Sequence, residues 1–137
     1  MRRLRTTPQM RNMLRETSLR PGQLIQPVFV DENISERREV STLPGQFALP
    51  LDEVADECVR LAELGLGAVL LFGVPCRKGP TGSEAWNPQG VVQRAGRKVK
   101  DACDLPVITD LCLCEYTDQG HCGVLEGGMV LNDPTLE

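Results

Sequence analysis

The chain has 137 residues, of which 41% are hydrophobic and 25% are charged, and its formal net charge at pH 7 is −4. These values are typical of one small globular domain or a part of a larger one, and the acidic balance argues against nucleic acid as the main partner. No window is long and apolar enough for a transmembrane helix, so no membrane partner is expected, and the arginine-rich start lacks the apolar stretch of a signal peptide, which favours the cytoplasm.

The first 22 residues are rich in arginine and lack a clean helical periodicity. The residues alone allow a mobile, solvated tail. A nucleic-acid-binding arm is disfavoured, because no aromatic residues lie between the arginines. The five arginines nearest the start are Arg2, Arg3, Arg5, Arg11 and Arg15.

Three apolar runs predict three β-strands. Residues 24–30 are rich in strand-forming types, although Pro27 makes an interior strand less certain. The following residues, 31–50, are polar and turn-rich and predict a loop. Residues 67–73 form a continuous apolar run, as in a strand buried on both faces of a parallel sheet, and residues 106–111 predict the third strand.

Two amphipathic helices are predicted between these strands. The first has its apolar positions at helical spacing from Val54 to Ala62, with Asp52 as N-cap and Gly65 as C-terminal stop. Cys58 lies on this stripe and is interpreted as a core residue. The second helix is expected to begin at Asn87, an N-cap type followed by a proline. Its buried stripe should comprise Val91, Val92, Ala95, Val99 and Ala102.

The predicted order β–α–β–α–β requires parallel neighbouring strands. It fits either a doubly wound sheet or a (β/α)8 barrel. No G-x-G-x-x-G motif follows any predicted strand, which excludes the usual dinucleotide-binding interpretation. Three strands cannot close a barrel, which needs about eight.

The loop after the third predicted strand contains three cysteines within eleven residues, Cys112, Cys114 and Cys122. The absence of a secretion signal favours reduced thiols. Cysteines one residue apart in an extended segment point to opposite faces, so the loop must turn before the three can converge. Three thiolates leave the fourth position of a tetrahedral zinc ion open, as in a catalytic rather than a closed structural site.

Other interpretations of these cysteines remain open. A small structural zinc-binding or interaction module is one, although the spacing C-x-C-x7-C matches no common zinc ribbon. An iron–sulfur site is another, but the spacing matches neither ferredoxin pattern. His121 is adjacent to Cys122, which makes ligation of one ion by both awkward, so a structural role or a hydrogen bond to a metal ligand is favoured. Cys76 is interpreted as an ordinary loop cysteine rather than a redox-sensitive thiol.

Seven segments occur in an order that is specific when they are taken together: residues 2–5, 13–17, 24–30, 70–75, 82–85, 110–123 and 130–136. Together they resemble the porphobilinogen synthase, or 5-aminolevulinate dehydratase, family. The resemblance implies the (β/α)8 barrel, with this chain as its N-terminal part, about three strands and two helices. It also implies an N-terminal arm at residues 1–22, which contacts a neighbouring subunit of a homo-octamer, and a partial barrel domain at 23–137.

The chemistry implied by the resemblance is a hydro-lyase reaction of tetrapyrrole and haem biosynthesis. Two 5-aminolevulinate molecules condense to porphobilinogen with loss of two waters; one forms a Schiff base with a lysine, and the other binds beside zinc. In this chain Cys112, Cys114 and Cys122 would be the Zn²⁺ ligands of the zinc-dependent branch. Asp110 would hold the amino group of a substrate, with a loop-capping carboxylate as the alternative.

The lysines do not match the family's Schiff-base motifs. The chain has Lys78 in a polar loop and Lys98 and Lys100 off the buried stripe of the second helix. A Schiff-base lysine must be desolvated so that its amine is neutral near pH 7. The chain is therefore expected to carry the zinc half of the site without the covalent half, and to be inactive alone.

Overall fold

The main sheet of the protein is mixed but mostly parallel. The computed structural model describes residues 2–136, and within them five strands form a sheet in the order β2-β3-β1-β4-β5. β1, β3, β4 and β5 are parallel, and β2 is antiparallel at one edge. The strands are β1 (Ile25–Asp31), β2 (Arg38–Glu39), β3 (Phe47–Leu49), β4 (Ala68–Val74) and β5 (Val107–Thr109). The three predicted strands and their parallel order are confirmed.

Four α-helices, three short 3-10 helices (Arg2–Arg5, Pro21–Gln23 and Ser83–Ala85) and a small hairpin complete the described residues. No helix within residues 2–136 has the length and apolarity needed to cross a membrane. The α-helices are α1 (Pro8–Met13), α2 (Val54–Glu63), α3 (Val91–Ala102) and α4 (Asn132–Leu136), and the hairpin consists of β6 (Val124–Glu126) and β7 (Met129–Leu131). α4 lies within residues 130–136, one of the segments that carry the resemblance.

The hydrophobic core lies between the sheet and helices α2 and α3. Alternate residues of β1 and β4, such as Val30 and Val69, are fully buried against the helices. Cys58 of α2 is 0% exposed, and this burial raises the pKa of its thiol to about 12, so it is a protonated core residue as predicted. The buried stripe of α3 is confirmed except for Ala102, which is exposed where the helix ends.

The opposite face of the sheet is less covered. The rings of Phe29 and Phe72 stack there with centroids 5.4 Å apart, and both side chains are only half-buried. Ile25 and Ile108, at 53% and 39% exposed, lie at the ends of this apolar face. The sheet therefore has one face packed by helices and one apolar face that the described residues leave partly open.

The predicted loop at residues 31–50 contains two short strands. β3 pairs with the end of β1, with Phe29 opposite Ala48. Strands of two or three residues are too short to show an alternating pattern, so only their pairing reveals them. β3 reaches only Phe29 and Val30 of β1, so Pro27 has β4 as its single paired neighbour among the described strands. This explains how a proline is tolerated within β1.

Both predicted helix N-caps are wrong. Glu53 is the N-cap of α2 and makes no side-chain capping bond, whereas Asp52 Oδ1 accepts a hydrogen bond from Lys98 Nζ at 3.0 Å. α3 begins after Gly90, because Asn87 forms a preceding turn in which its carbonyl oxygen accepts from the Gly90 N–H at 2.8 Å. The predicted stop of α2 is confirmed, since Gly65 follows the helix with a φ of 78°.

Residues 2–20 lie on the outside of the protein. Every side chain in this segment is exposed except that of Met10, which is half-buried. Thr7 caps α1 by accepting a hydrogen bond from the Met10 N–H at 3.1 Å. The arm boundary at residue 22 and its role at a subunit interface stay predictions.

Candidate metal centre

The cysteine loop, defined here as residues 110–123, follows the carboxyl end of β5. A tight turn forms immediately after Cys112, in which the carbonyl oxygen of Leu113 accepts hydrogen bonds from the N–H groups of Tyr116 and Thr117, both at 2.9 Å. This is the turn that the cysteine spacing requires. Gly120 then adopts a φ of 72° and helps the chain to return towards Cys112.

The structure brings the three cysteine sulfurs together. Cys112, Cys114 and Cys122 each place Sγ within 4.8 Å of the other two. The Cys112 and Cys122 sulfurs are 3.7 Å apart. Cys122 is exposed and the other two are half-buried, so an ion or ligand can reach the cluster from solvent.

Backbone N–H groups point at two of these sulfurs. The Leu113 N–H donates to Cys122 Sγ at 3.3 Å, and the Cys114 N–H donates to Cys112 Sγ at 3.4 Å. Because such bonds stabilise a thiolate, the Leu113 N–H lowers the pKa of Cys122, and a hydrogen bond from the Cys112 thiol adds to this. The Cys114 N–H acts in the same direction on Cys112, but desolvation and hydrogen bonding with the neighbouring thiols outweigh it and raise the pKa of Cys112 to about 12.

Two carboxylates lie beside Cys112. Asp110, Cys112 and Glu115 place their potential ligand atoms within 4.8 Å of one another. Asp110 is exposed, and the Oε2 atom of Glu115 is buried without a hydrogen-bond partner. The sequence singled out Asp110 and not Glu115, because a single glutamate in a polar loop carries no distinguishing pattern.

His121 and Cys76 are not part of the sulfur cluster. His121 is exposed, and its described role is through the backbone, where its carbonyl oxygen accepts a hydrogen bond from Thr117 Oγ1 at 2.7 Å. Cys76 is exposed in the loop after β4, and its N–H donates to Glu32 Oε2 at 3.0 Å. Sequence reasoning also missed Thr117, which is buried inside the loop.

The donor set fits a thiophilic metal ion. Thiolate sulfur favours zinc and similar soft or borderline ions over Mg²⁺, which prefers oxygen. Within residues 2–136, no histidine, cysteine or carboxylate offers a fourth ligand atom within 4.8 Å of all three sulfurs. Among the described residues, the cluster therefore offers three ligands to a tetrahedral ion and leaves its fourth coordination position open.

Comparison with known proteins gives the family. The model of the delta-aminolevulinic acid dehydratase family matches residues 1–137. The chain belongs to this family. The dehydratase of Methanothermobacter thermautotrophicus is 49% identical over 139 residues, and those of Helicobacter pylori and Bacillus subtilis are 47% and 42% identical over 139 and 137 residues. The match covers 99–100% of this chain and 42–43% of these dehydratases, so the chain spans about two-fifths of their length.

A solved dehydratase has the same fold over this region. The structure of delta-aminolevulinic acid dehydratase (porphobilinogen synthase) from Toxoplasma gondii, in complex with the reaction product porphobilinogen, superposes with a TM-score of 0.90 at 29% identity. The superposition covers 98% of this chain and 40% of the Toxoplasma chain. The chain therefore folds as part of the (β/α)8 barrel of the dehydratase family, as the resemblance implied. The cysteine loop follows the carboxyl end of a barrel strand, which is the face where such barrels carry their active sites.

Proposed function

We propose that the protein carrying this sequence is a porphobilinogen synthase, which condenses two 5-aminolevulinate molecules to porphobilinogen with loss of two waters. This chain would supply the metal-binding half of the active site. The observation that carries the proposal is the convergence of Cys112, Cys114 and Cys122 after a barrel strand in a chain of the dehydratase family. The porphobilinogen bound to the Toxoplasma relative supports the same chemistry.

The three cysteines would hold Zn²⁺. Their sulfurs already lie within 4.8 Å of one another, and backbone N–H groups donate hydrogen bonds to the sulfurs of Cys112 and Cys122. Three thiolates and one Zn²⁺ give a net charge of −1 and select a soft or borderline ion. When bound, the zinc would supply a Lewis acid for a substrate carbonyl oxygen. The exposed side of Cys122 leaves room for the substrate to approach.

Asp110 would bind the ammonium group of this substrate. Its carboxylate is exposed beside Cys112, so a substrate can contact the carboxylate and the metal position together. A charge-assisted hydrogen bond from an ammonium group to a carboxylate stabilises binding by about 1.5–3 kcal/mol. Glu115 adds a second negative charge next to the same cysteine, which favours a cationic substrate group at this position.

The lysines of the chain are poor candidates for Schiff-base formation. Lys78, Lys98 and Lys100 are all exposed, and Lys98 Nζ forms an ion pair with Asp52 at 3.0 Å. An exposed ammonium is stabilised by water and by its ion pair, whereas an imine-forming lysine must be neutral. The covalent half of the reaction is therefore assigned to residues other than these three.

The exposed N-terminal residues and the free thiols bear on the assembly and the compartment of the protein. Residues 2–20 are exposed almost throughout, which supports packing of the proposed arm, residues 1–22, against a neighbouring subunit of a homo-octamer. Free thiols at the metal centre suit the reducing cytoplasm, which we propose as its compartment. Size-exclusion chromatography with light scattering, with and without residues 1–22, tests the assembly.

Borohydride trapping tests the reaction. The protein carrying this sequence is incubated with 5-aminolevulinate, reduced, digested and analysed by mass spectrometry. We expect porphobilinogen formation before reduction, and no substrate adduct on Lys78, Lys98 or Lys100. A variant with all three lysines changed to Arg should keep its activity. Zinc binding without porphobilinogen formation would instead support a structural zinc module. A substrate adduct on one of these lysines would show that it can form the Schiff base.

Replacement of Asp110 tests the substrate contact. Asp110→Asn should raise KM by about 10-fold or more, since a charged hydrogen bond is lost, while zinc content stays unchanged. Asp118→Asn is the matched control, because Asp118 is an exposed carboxylate in the same loop. Equal kinetics for the two variants would show that Asp110 is only a loop residue.

A further inference from the structure

One buried hydroxyl group closes the cysteine loop. Thr117 is only 1% exposed, and its Oγ1 donates to the carbonyl oxygen of His121 at 2.7 Å. Its own N–H donates to the carbonyl oxygen of Leu113 at 2.9 Å. Thr117 therefore contacts the backbone between Cys112 and Cys114 on one side and the residue before Cys122 on the other.

The loop after β4 also contacts Thr117. Thr117 forms an isolated parallel bridge with Gly79. In this bridge the Gly79 N–H donates to the carbonyl oxygen of Tyr116, and the Asp118 N–H donates to the carbonyl oxygen of Gly79, both at 3.2 Å. The Thr117 methyl group also packs close to Gly82, where an added Cβ would lie 3.3 Å from it. Two loops thus meet at Thr117.

Burial alone does not hold the far end of the cysteine loop. His121 and Cys122 are both exposed, so few packing contacts fix their positions. The seven residues between Cys114 and Cys122 include Gly120 in a left-handed conformation, and closing such a segment costs conformational entropy. The Thr117 hydroxyl makes a side-chain hydrogen bond to the backbone immediately before Cys122.

We propose that Thr117 is a positioning residue for the metal centre: its hydroxyl fixes the His121 carbonyl group and thereby holds Cys122 Sγ near Cys112 and Cys114. This inference rests on the metal site of the proposed function and adds a residue that carries no ligand atom to it. Outer residues that orient metal ligands typically contribute a factor of about 10–100 in metal affinity. We expect the Thr117 hydroxyl to raise the metal affinity by a factor in the same range.

The two functional groups of threonine can be separated by substitution. Thr117→Val keeps the shape and the methyl packing near Gly82 but removes the hydroxyl. Thr117→Ser keeps the hydroxyl and removes the methyl. Gly79→Ala is a matched control in the partner loop, because an added Cβ there meets no atom within 4 Å and the bridge uses only backbone atoms.

The experiment measures zinc affinity by competition with a chromophoric chelator, together with thermal unfolding of the metal-free form, for the protein carrying this sequence. We expect Thr117→Val to bind zinc about 10–100-fold more weakly, with a metal-free unfolding temperature close to that of the parent. Thr117→Ser and Gly79→Ala should bind like the parent. If Thr117→Val does not fold, Thr117→Ala replaces it in the comparison.

The outcomes separate this inference from the proposed function. Absence of zinc binding by the parent protein would remove the metal site itself. Normal zinc binding by the parent and equal binding by Thr117→Val would overturn the role of Thr117 alone. Two other results would show that Thr117 supports the fold and does not position the ligands. One is weak zinc binding by Thr117→Ser as well. The other is a loss of zinc affinity in Thr117→Val that is matched by a loss of its metal-free stability.

Discussion

The Sγ atoms of Cys112 and Cys122 lie 3.7 Å apart, although the two residues are separated by ten positions in the chain. Two sulfurs bound to one tetrahedral zinc ion at about 2.3 Å each lie about 3.8 Å apart. The spacing without an ion thus matches one edge of a zinc–thiolate tetrahedron. Little movement of these two ligands is needed on metal binding.

The first prediction concerns the identity of the ligands. The protein should bind about one zinc ion per chain at this cluster, and the combined replacement of Cys112, Cys114 and Cys122 by Ser should abolish that binding, because no thiolate remains. Metal content after dialysis, measured by mass spectrometry, checks this. Cys76→Ser is the control, since Cys76 is an exposed thiol outside the cluster. Full zinc retention in the triple variant would refute the assignment.

A second prediction concerns metal selectivity. Lead should displace zinc from the cluster and inhibit the proposed condensation, because a soft cation competes well for an all-sulfur site. A large excess of Mg²⁺ should do neither. The appearance of lead–thiolate absorption in the near ultraviolet, with release of zinc to an indicator dye, measures the exchange. Displacement of zinc by Mg²⁺ would indicate that the ion is held by oxygen atoms such as those of Asp110 and Glu115.

A third prediction concerns acid stability and involves Glu57 on α2. Hydrogen bonds and charge from Arg60, with a further contribution from Arg37, lower the pKa of Glu57 below its usual value of 4.5. A lowered pKa in the folded state stabilises the protein above the usual pKa, and this contribution is lost as pH falls through the folded pKa. Glu57→Gln should therefore cost up to about 1 kcal/mol at pH 7, the range for partly exposed ion pairs.

Urea unfolding at pH 7 and at pH 3 measures this effect. The difference between parent and Glu57→Gln should shrink at the lower pH, because the parent carboxylate also becomes protonated. Glu63→Gln is the control, as Glu63 is an exposed residue of the same helix. A stability difference that does not change with pH would show that the charge of Glu57 is unimportant.

A fourth prediction compares two glycines. An added Cβ at Gly73 in β4 would lie 2.5 Å from side-chain atoms of both Val91 and Val92, so Gly73→Ala should destabilise the fold by about 1–3 kcal/mol. Gly96 lies inside α3, and an added Cβ there meets no atom within 4 Å. Gly96→Ala should stabilise the protein by up to about 1 kcal/mol. Thermal unfolding of both variants tests the pair; a neutral Gly73→Ala would mean that α3 moves away from β4 without cost.

The regular part of the fold could be predicted because its signals are local. The apolar run at residues 67–73 and the helically spaced apolar residues around Cys58 each reflect the burial of one element. Such burial leaves a recognisable pattern within the residues of that element itself. β3 could not be predicted, because its three residues are stabilised by pairing with Phe29 and Val30, about twenty residues away. The predicted N-cap of α2 was wrong because Asp52 bonds with Lys98 of another helix instead of capping α2.

For the candidate site, the sequence pointed only to side chains that could bind a metal ion or a substrate. The residue type and spacing of the three cysteines indicate metal chemistry directly, and Asp110 is a carboxylate two residues before Cys112. Gly79 acts through backbone groups that any residue possesses, and Thr117 acts through a hydroxyl group whose partner is a backbone carbonyl oxygen; their contact depends on how two separate loops meet. Side-chain identity alone does not show such a contact.

The bridge between Gly79 and Thr117 makes the two loops one cooperative unit. Opening either loop breaks the same pair of backbone hydrogen bonds, so local unfolding of the loop after β4 also loosens the segment that carries the thiols. An ion bound by the closed form disfavours the open form, by about 2.7 kcal/mol when its concentration is 100 times the dissociation constant. Zinc held by three cysteines would therefore slow the exchange of the Gly79 amide proton, in a loop that supplies none of the three sulfurs.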